Sequence, residues 1–185
     1  MRKFLIIAGA LMLSAAIILF GLNQYNLRAS QKQAEAYVQT ISRLIPQQEN
    51  SVPQERRDNT MSAISIDDKD FVGILEFPRY ASALPVCNDW GSISKYPCRF
   101  DGSIYNSSLQ IGATSQKGQY DFFREISVGD AVSFTDAEGN CYLLSVSDIR
   151  YAKSADSEIL GKENAALTLF IKNIYSFEYI VIFCN

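Results

Sequence analysis

The most nucleophilic side chains of this chain are four cysteines, Cys87, Cys98, Cys141 and Cys184, in a sequence without a single histidine. Imidazole is the commonest general base, the usual partner of a catalytic serine or cysteine, and the commonest metal ligand. Its absence takes a component out of most hydrolase mechanisms. Four cysteines allow three disulfide pairings, between which sequence does not choose. Cys87 and Cys98 are nearest, and in the chain-entropy view a bridge across that loop is worth roughly 2–3 kcal/mol. The plain alternative is small buried side chains. A zinc framework fits poorly, since no C-x-x-C spacing joins the cysteines and no histidine completes a set. Among the acids, Asp67, Asp68 and Asp70 cluster, while Asp101, Asp130, Asp136 and Glu138 fall in turns. That distribution admits calcium, but turn carboxylates also bond local backbone and tolerate turn geometry. No metal or cofactor is expected. The net charge of -3 lacks the basic footprint that phosphate neutralisation requires, which sets nucleic acid aside.

The elements that carry these residues begin with an uncharged run from Phe4 to Leu22, preceded by Arg2 and Lys3. About nineteen residues at ~1.5 Å rise span a ~30 Å hydrocarbon core. A signal peptide has an apolar region of about 7–15 residues, so residues 1–23 read as an anchor, with Ser14-Ala15-Ala16 the feature on which a cleavage alternative rests. Basic residues before the span put Met1 in the cytoplasm and everything after Gln24 outside the cell membrane in a single pass. Residues 24–68 form a juxtamembrane segment. In it Ala29, Ala34, Tyr37, Val38, Ile41, Leu44 and Ile45 recur at helical spacing and stop at Pro46, an amphipathic helix read as a spacer or stalk whose stripe packs on the domain or on itself, with a specific docking helix the alternative. From Pro46 to Asp68 the chain is polar and aperiodic, a linker. The folded domain is expected over 69–185.

Within it, strand patterns cover Phe71–Phe77, Ala83–Val86 and Ser108–Gly112, and Tyr120–Ile126 has helical spacing. Ala131–Thr135 and Cys141–Val146 flank a hairpin turn at Asp136–Asn140. Ala166–Ile171 and Tyr179–Phe183 are too apolar for edge strands. The expected fold class is all-β, a compact antiparallel β-barrel with short helical insertions.

Taken in order, Val72-Gly73-Ile74-Leu75-Glu76-Phe77-Pro78, Leu84-Pro85-Val86, Trp90 and Pro97-Cys98-Arg99-Phe100-Asp101-Gly102-Ser103 resemble the exported sortases of Gram-positive bacteria, most closely the clostridial class B/D group. Leu109-Gln110-Ile111, Gly129-Asp130, Phe134-Thr135-Asp136, Gly139, Leu167-Thr168-Leu169-Phe170 and Cys184 continue it in register. The resemblance covers about Phe71 to Asn185 and implies an eight-stranded closed barrel. In that family a cysteine attacks the carbonyl of a sorting-signal peptide, a histidine moves protons, an arginine steadies substrate or oxyanion, and an amine releases the thioester.

Carried across residue by residue, the resemblance puts Thr114 where the histidine stands, Lys172 where the nucleophile stands, and Tyr179, or Glu178 with a loop shift of one, where the arginine stands. None of the four cysteines falls on the nucleophile's position. The expectation is a membrane-anchored cell-surface pseudoenzyme, binding a peptide, a surface protein or a true sortase. Lys172 would be a substituted cleft position, paired with Glu178, and Thr114 a polar filler. The alternative is a cysteine-independent transpeptidase or acyl hydrolase using Thr114 as hydroxyl and Lys172 as base. In either reading Thr114 and Lys172 should meet at the mouth of the barrel, with Tyr179 or Glu178 closing the third side.

Overall fold

The computed structural model describes residues 2–46, 60–115, 121–155, 165–173 and 178–185. It opens on one uninterrupted helix, α1 (Arg2–Leu44). No proline or glycine pair breaks the chain between the apolar run and the amphipathic stretch, so the two form a single rod, about 65 Å long at ~1.5 Å per residue. Its first half leaves Ile7, Leu11, Ile18 and Leu22 exposed, and the helix is long and apolar enough to cross a membrane. Its second half buries Ala34, Tyr37 and Ile41, the i, i+3, i+7 stripe, against Phe71, Ile74, Cys87, Tyr96 and Cys98. The stripe therefore packs on the domain.

The strands are β1 (Ile64–Ile66), β2 (Lys69–Phe77), β3 (Ser82–Cys87), β4 (Cys98–Asp101), β5 (Leu109–Ser115), β6 (Ala131–Asp136), β7 (Cys141–Ala152), β8 (Leu167–Asn173) and β9 (Tyr179–Cys184). They follow the order β2-β3-β4-β5-β8-β9-β7-β6, and β6 pairs back onto β2 to close an eight-stranded barrel. β1 joins β2 through a tight turn at Asp67 and Asp68, both at positive φ. Strand pairing thus starts at Ile64, ahead of the expected Lys69.

Two further readings are corrected. The barrel is not wholly antiparallel, because β3–β4 and β5–β8 are parallel pairs. β4 lacks a strand signal because Pro97 and Gly102 bracket only four residues. The helical spacing near Phe122 resolves, in its described part, to a 3-10 turn over Asp121–Arg124, with Tyr120 outside the described residues. That turn still delivers Phe123 into the barrel, its ring 5.3 Å from Phe77. β7 continues to Ala152, past a bulge between Val146 and Asp148 that turns it from β6 onto β9.

Alternation sorts the two faces. Leu109, Ile111, Leu167, Leu169, Ile171, Ile180 and Ile182 fill the barrel, while Phe170, Val181 and Phe183, of opposite parity, form a separate outer cluster. β8 and β9 lie between other strands, as their apolar composition requires.

Candidate functional site

The outer face of β5, β8 and β9 is built in rows, because parallel and antiparallel ladders put same-parity residues side by side. Thr114 pairs with Lys172, and Lys172 with Tyr179. These positions, separated by up to sixty-odd residues in sequence, form one row. One step inward the row is Gly112, Phe170 and Val181, and the next is Gln110, Thr168 and Phe183.

Lys172 is exposed, and Thr114 and Tyr179 are half-buried. The row shares its parity with Phe170 and Val181, so it sits on the barrel's outer surface at the strand ends, rather than inside the mouth. Glu178 departs from the row. Its carbonyl accepts from the Asn173 backbone N–H at 2.8 Å, and it lines a cavity of about 200 Å³ with Arg124, Tyr151, Asn173 and Ile180. Ion pairs join Arg79 to Asp130 and Arg150 to Asp148, and among the described residues none joins Lys172 to Glu178, the pair expected from the sequence.

Beside the row lies an aromatic group that sequence reasoning did not single out. Trp90 packs on Phe100 and Phe170 at 5.0 and 6.0 Å between ring centres, and Phe100 meets Phe170 edge-on at 5.4 Å. Phe170 is buried, whereas Trp90 and Phe100 remain 41% and 51% exposed, which makes them a contact surface rather than core. Gly112 is what lets Trp90 down onto the sheet, because a Cβ there would stand 2.5 Å from the indole. On the opposite flank the Arg150 guanidinium lies 5.0 Å over the Phe183 ring. Proximity of Trp90 to Phe170 is a tertiary fact, but the Trp90, Phe100 and Gly112 residue types were a visible signal.

No cysteine reaches the row. Cys184 points into the barrel, where burial pushes its thiol up to about 12. Cys141 is exposed at the start of β7, opposite Thr135. Cys87 and Cys98 are buried under α1. None of the four sulfurs therefore lies at Thr114, Lys172 or Tyr179. The row can attract a carboxylate or amide oxygen and present hydroxyls.

The acidic candidates resolve to structure. Asp67 makes the β1–β2 turn and accepts from the Tyr37 hydroxyl at 3.2 Å, and Asp70 accepts from Ser65. Asp136 accepts from Glu138 N, Asn140 N and Asn140 Nδ2 at 2.8–2.9 Å, closing the β6–β7 hairpin. Asp130 accepts from Arg79, Tyr80 and Ser127 N. Among the described residues no three such groups converge as metal ligands.

No family model and no curated protein matches the sequence. Solved structures do match the fold. Sortase C1 from Streptococcus agalactiae superposes with a TM-score of 0.53 at 16% identity, over 65% of this chain and 69% of its own. Sortase C from Clostridium perfringens gives 0.53 at 14%, over 62% and 68%. Sortase A from Corynebacterium diphtheriae gives 0.53 at 12%, over 85% and 82%. The chain thus has the sortase fold, a closed barrel behind an N-terminal apolar helix.

Proposed function

We propose that this sortase-fold chain is a membrane-anchored, extracytoplasmic pseudoenzyme that holds a peptide segment of a surface-protein partner on the outer face of β5, β8 and β9 without cleaving it. The observation that carries the reading is the row Thr114–Lys172–Tyr179, formed in a chain that has no histidine and keeps its cysteines elsewhere. The resemblance in sequence put the catalytic cysteine, histidine and arginine on those three positions. Trp90 and Phe100 offer a peptide apolar contact beside the row, and Lys172 offers a cation for a carboxylate or carbonyl. With α1 as anchor and Arg2 and Lys3 on its cytoplasmic side, the barrel stands outside the membrane.

The test is incubation of the full-length protein in detergent with sorting-signal peptides and an amine, followed by mass spectrometry and Trp90 emission. The expected outcome is saturable binding, weakened by Phe100→Ala, which keeps the Trp90 signal, with the peptide intact. The register of Thr114 against Lys172 gives the enzyme alternative its specific form. Cleavage abolished by Lys172→Ala or Thr114→Ala would replace the binding reading with a threonine–lysine acyl transfer. Lys172→Cys, Thr114→His and Tyr179→Arg together should restore weak turnover where the backbone retains sortase geometry. Recovery from cells of a mature chain starting near residue 17 or 25 would remove the anchor.

A further inference from the structure

We propose that Cys87 and Cys98 are the sites of an intramolecular disulfide that clips the loop carrying Trp90 to the barrel. β3 and β4 run parallel and meet at this one pair, Cys87 opposite Cys98. Adjacent strands lie ~4.8 Å apart, within the Cα separation of about 4.4–6.8 Å that disulfides occupy. Both side chains are fully buried in the same cluster beneath Tyr37 and Ile41 of α1, so they project to one side of the sheet. The backbone closes the same point, with Cys87 N donating to Pro97 O at 2.9 Å. The other two cysteines do not compete, one being inside the barrel and one exposed on β7.

The thiols are already chemically unequal. The Cys98 S–H lies within reach of the Tyr96 carbonyl at 3.3 Å and of the Cys87 sulfur. In the folded state, donation from Cys98, then from the Asp89 backbone N–H and the Ser92 hydroxyl, lowers Cys87, while Cys98 is raised by donating to it. In the exchange one of the two cysteines, taken as Cys87, attacks as its thiolate. It displaces one thiolate from an external disulfide, forming a mixed disulfide. Cys98 then loses its proton and attacks the Cys87 sulfur, releasing the second thiolate. Two cysteine thiols are oxidised, one external disulfide is reduced to two thiols, and the protons balance. Because α1 seals both sulfurs from solvent, the exchange belongs to folding, before the helix docks.

The bridge encloses a loop of about twelve residues, whose closure restrains the unfolded chain. Inside that loop is Trp90, the chain's one tryptophan, held against Phe100 and Phe170. The inference does not depend on peptide binding or compartment, because pairing is read in a redox buffer. The full-length protein in detergent is unfolded, refolded in oxidised and reduced glutathione mixtures, quenched with N-ethylmaleimide in denaturant and peptide-mapped. The expected oxidised product carries label on Cys141 and Cys184 only, with a Cys87–Cys98 linked peptide that dithiothreitol splits. Its Tm should exceed that of the reduced form by roughly 10 °C, and reduction should make Trp90 more accessible to acrylamide. Four labelled cysteines in fully oxidised glutathione, or a linkage joining any other pair, would overturn the site. A bridge whose reduction moves neither Tm nor Trp90 quenching would overturn the clip.

Discussion

Replacing Tyr37 by alanine tests whether the second half of α1 belongs to the folded domain. The Tyr37 ring is 5% exposed and sits 5.0 Å from Phe71 and 5.7 Å from Tyr96, while its hydroxyl donates to Asp67 at 3.2 Å. Truncating a buried aromatic costs about 3–5 kcal/mol. Two ring pairs contribute about 0.5–1.5 kcal/mol each beyond their area, and the hydrogen bond a net ~0.5–1.5 kcal/mol. A helix lying on a barrel can settle into the gap, so the expected loss is near the lower limit, about 3 kcal/mol. Against a total stability of about 5–15 kcal/mol that is a large fraction. Tyr37→Phe keeps both ring contacts and should lose no more than ~1.5 kcal/mol, the share of the hydroxyl. The assay is denaturant unfolding of the full-length protein in detergent, followed together by far-ultraviolet circular dichroism and Trp90 emission, since Tyr96 lies in the Trp90 loop. A Tyr37→Ala variant within ~0.5 kcal/mol of the parent would mean that α1 does not contribute to the fold. Equal losses for the two variants would place the energy in the hydrogen bond to Asp67 rather than in ring burial.

Gly112→Ala should displace Trp90, because the new Cβ would stand 2.5 Å from the indole and 2.8 Å from buried Phe170. The half-exposed indole is the partner that can swing away, so the expected cost is about 1 kcal/mol of lost stacking with a red-shifted Trp90 emission. Unchanged emission would contradict the packing of Trp90 over Gly112. Asp130 is held below the ordinary 3.8, first by the Ser127 N–H and then by Arg79. A carboxyl depressed in the folded state adds stability above its unfolded pKa and loses it as pH falls through the folded value. Tm measured downward from pH 5 should therefore fall less steeply in Asp130→Asn than in the parent, and identical slopes would contradict the assignment.

Composition and local patterning were enough for much of this protein. The uncharged Phe4–Leu22 run and the Ala34, Tyr37, Ile41 stripe read as helix because their periods are local. Most barrel strands, with the hairpin at Asp136–Asn140, read as such because alternation and turn chemistry act within a few residues. The absence of histidine removed the commonest general base from consideration before any fold was known.

Tertiary structure decided what depends on pairing between distant segments. Thr114, Lys172 and Tyr179 become neighbours through a parallel and an antiparallel register, and a slip of one residue in either would turn a member to the opposite face. Glu178 and Tyr179 are adjacent in sequence and equal candidates there. Only the ladder puts Tyr179 in the row and Glu178 on a separate cavity. β4, too short to signal itself, exists because β3 and β5 supply its hydrogen bonds. Cys87 and Cys98, one of several possible pairs by sequence, come face to face for the same reason: hydrogen-bond register is a property of two strands, and neither strand's sequence contains it alone.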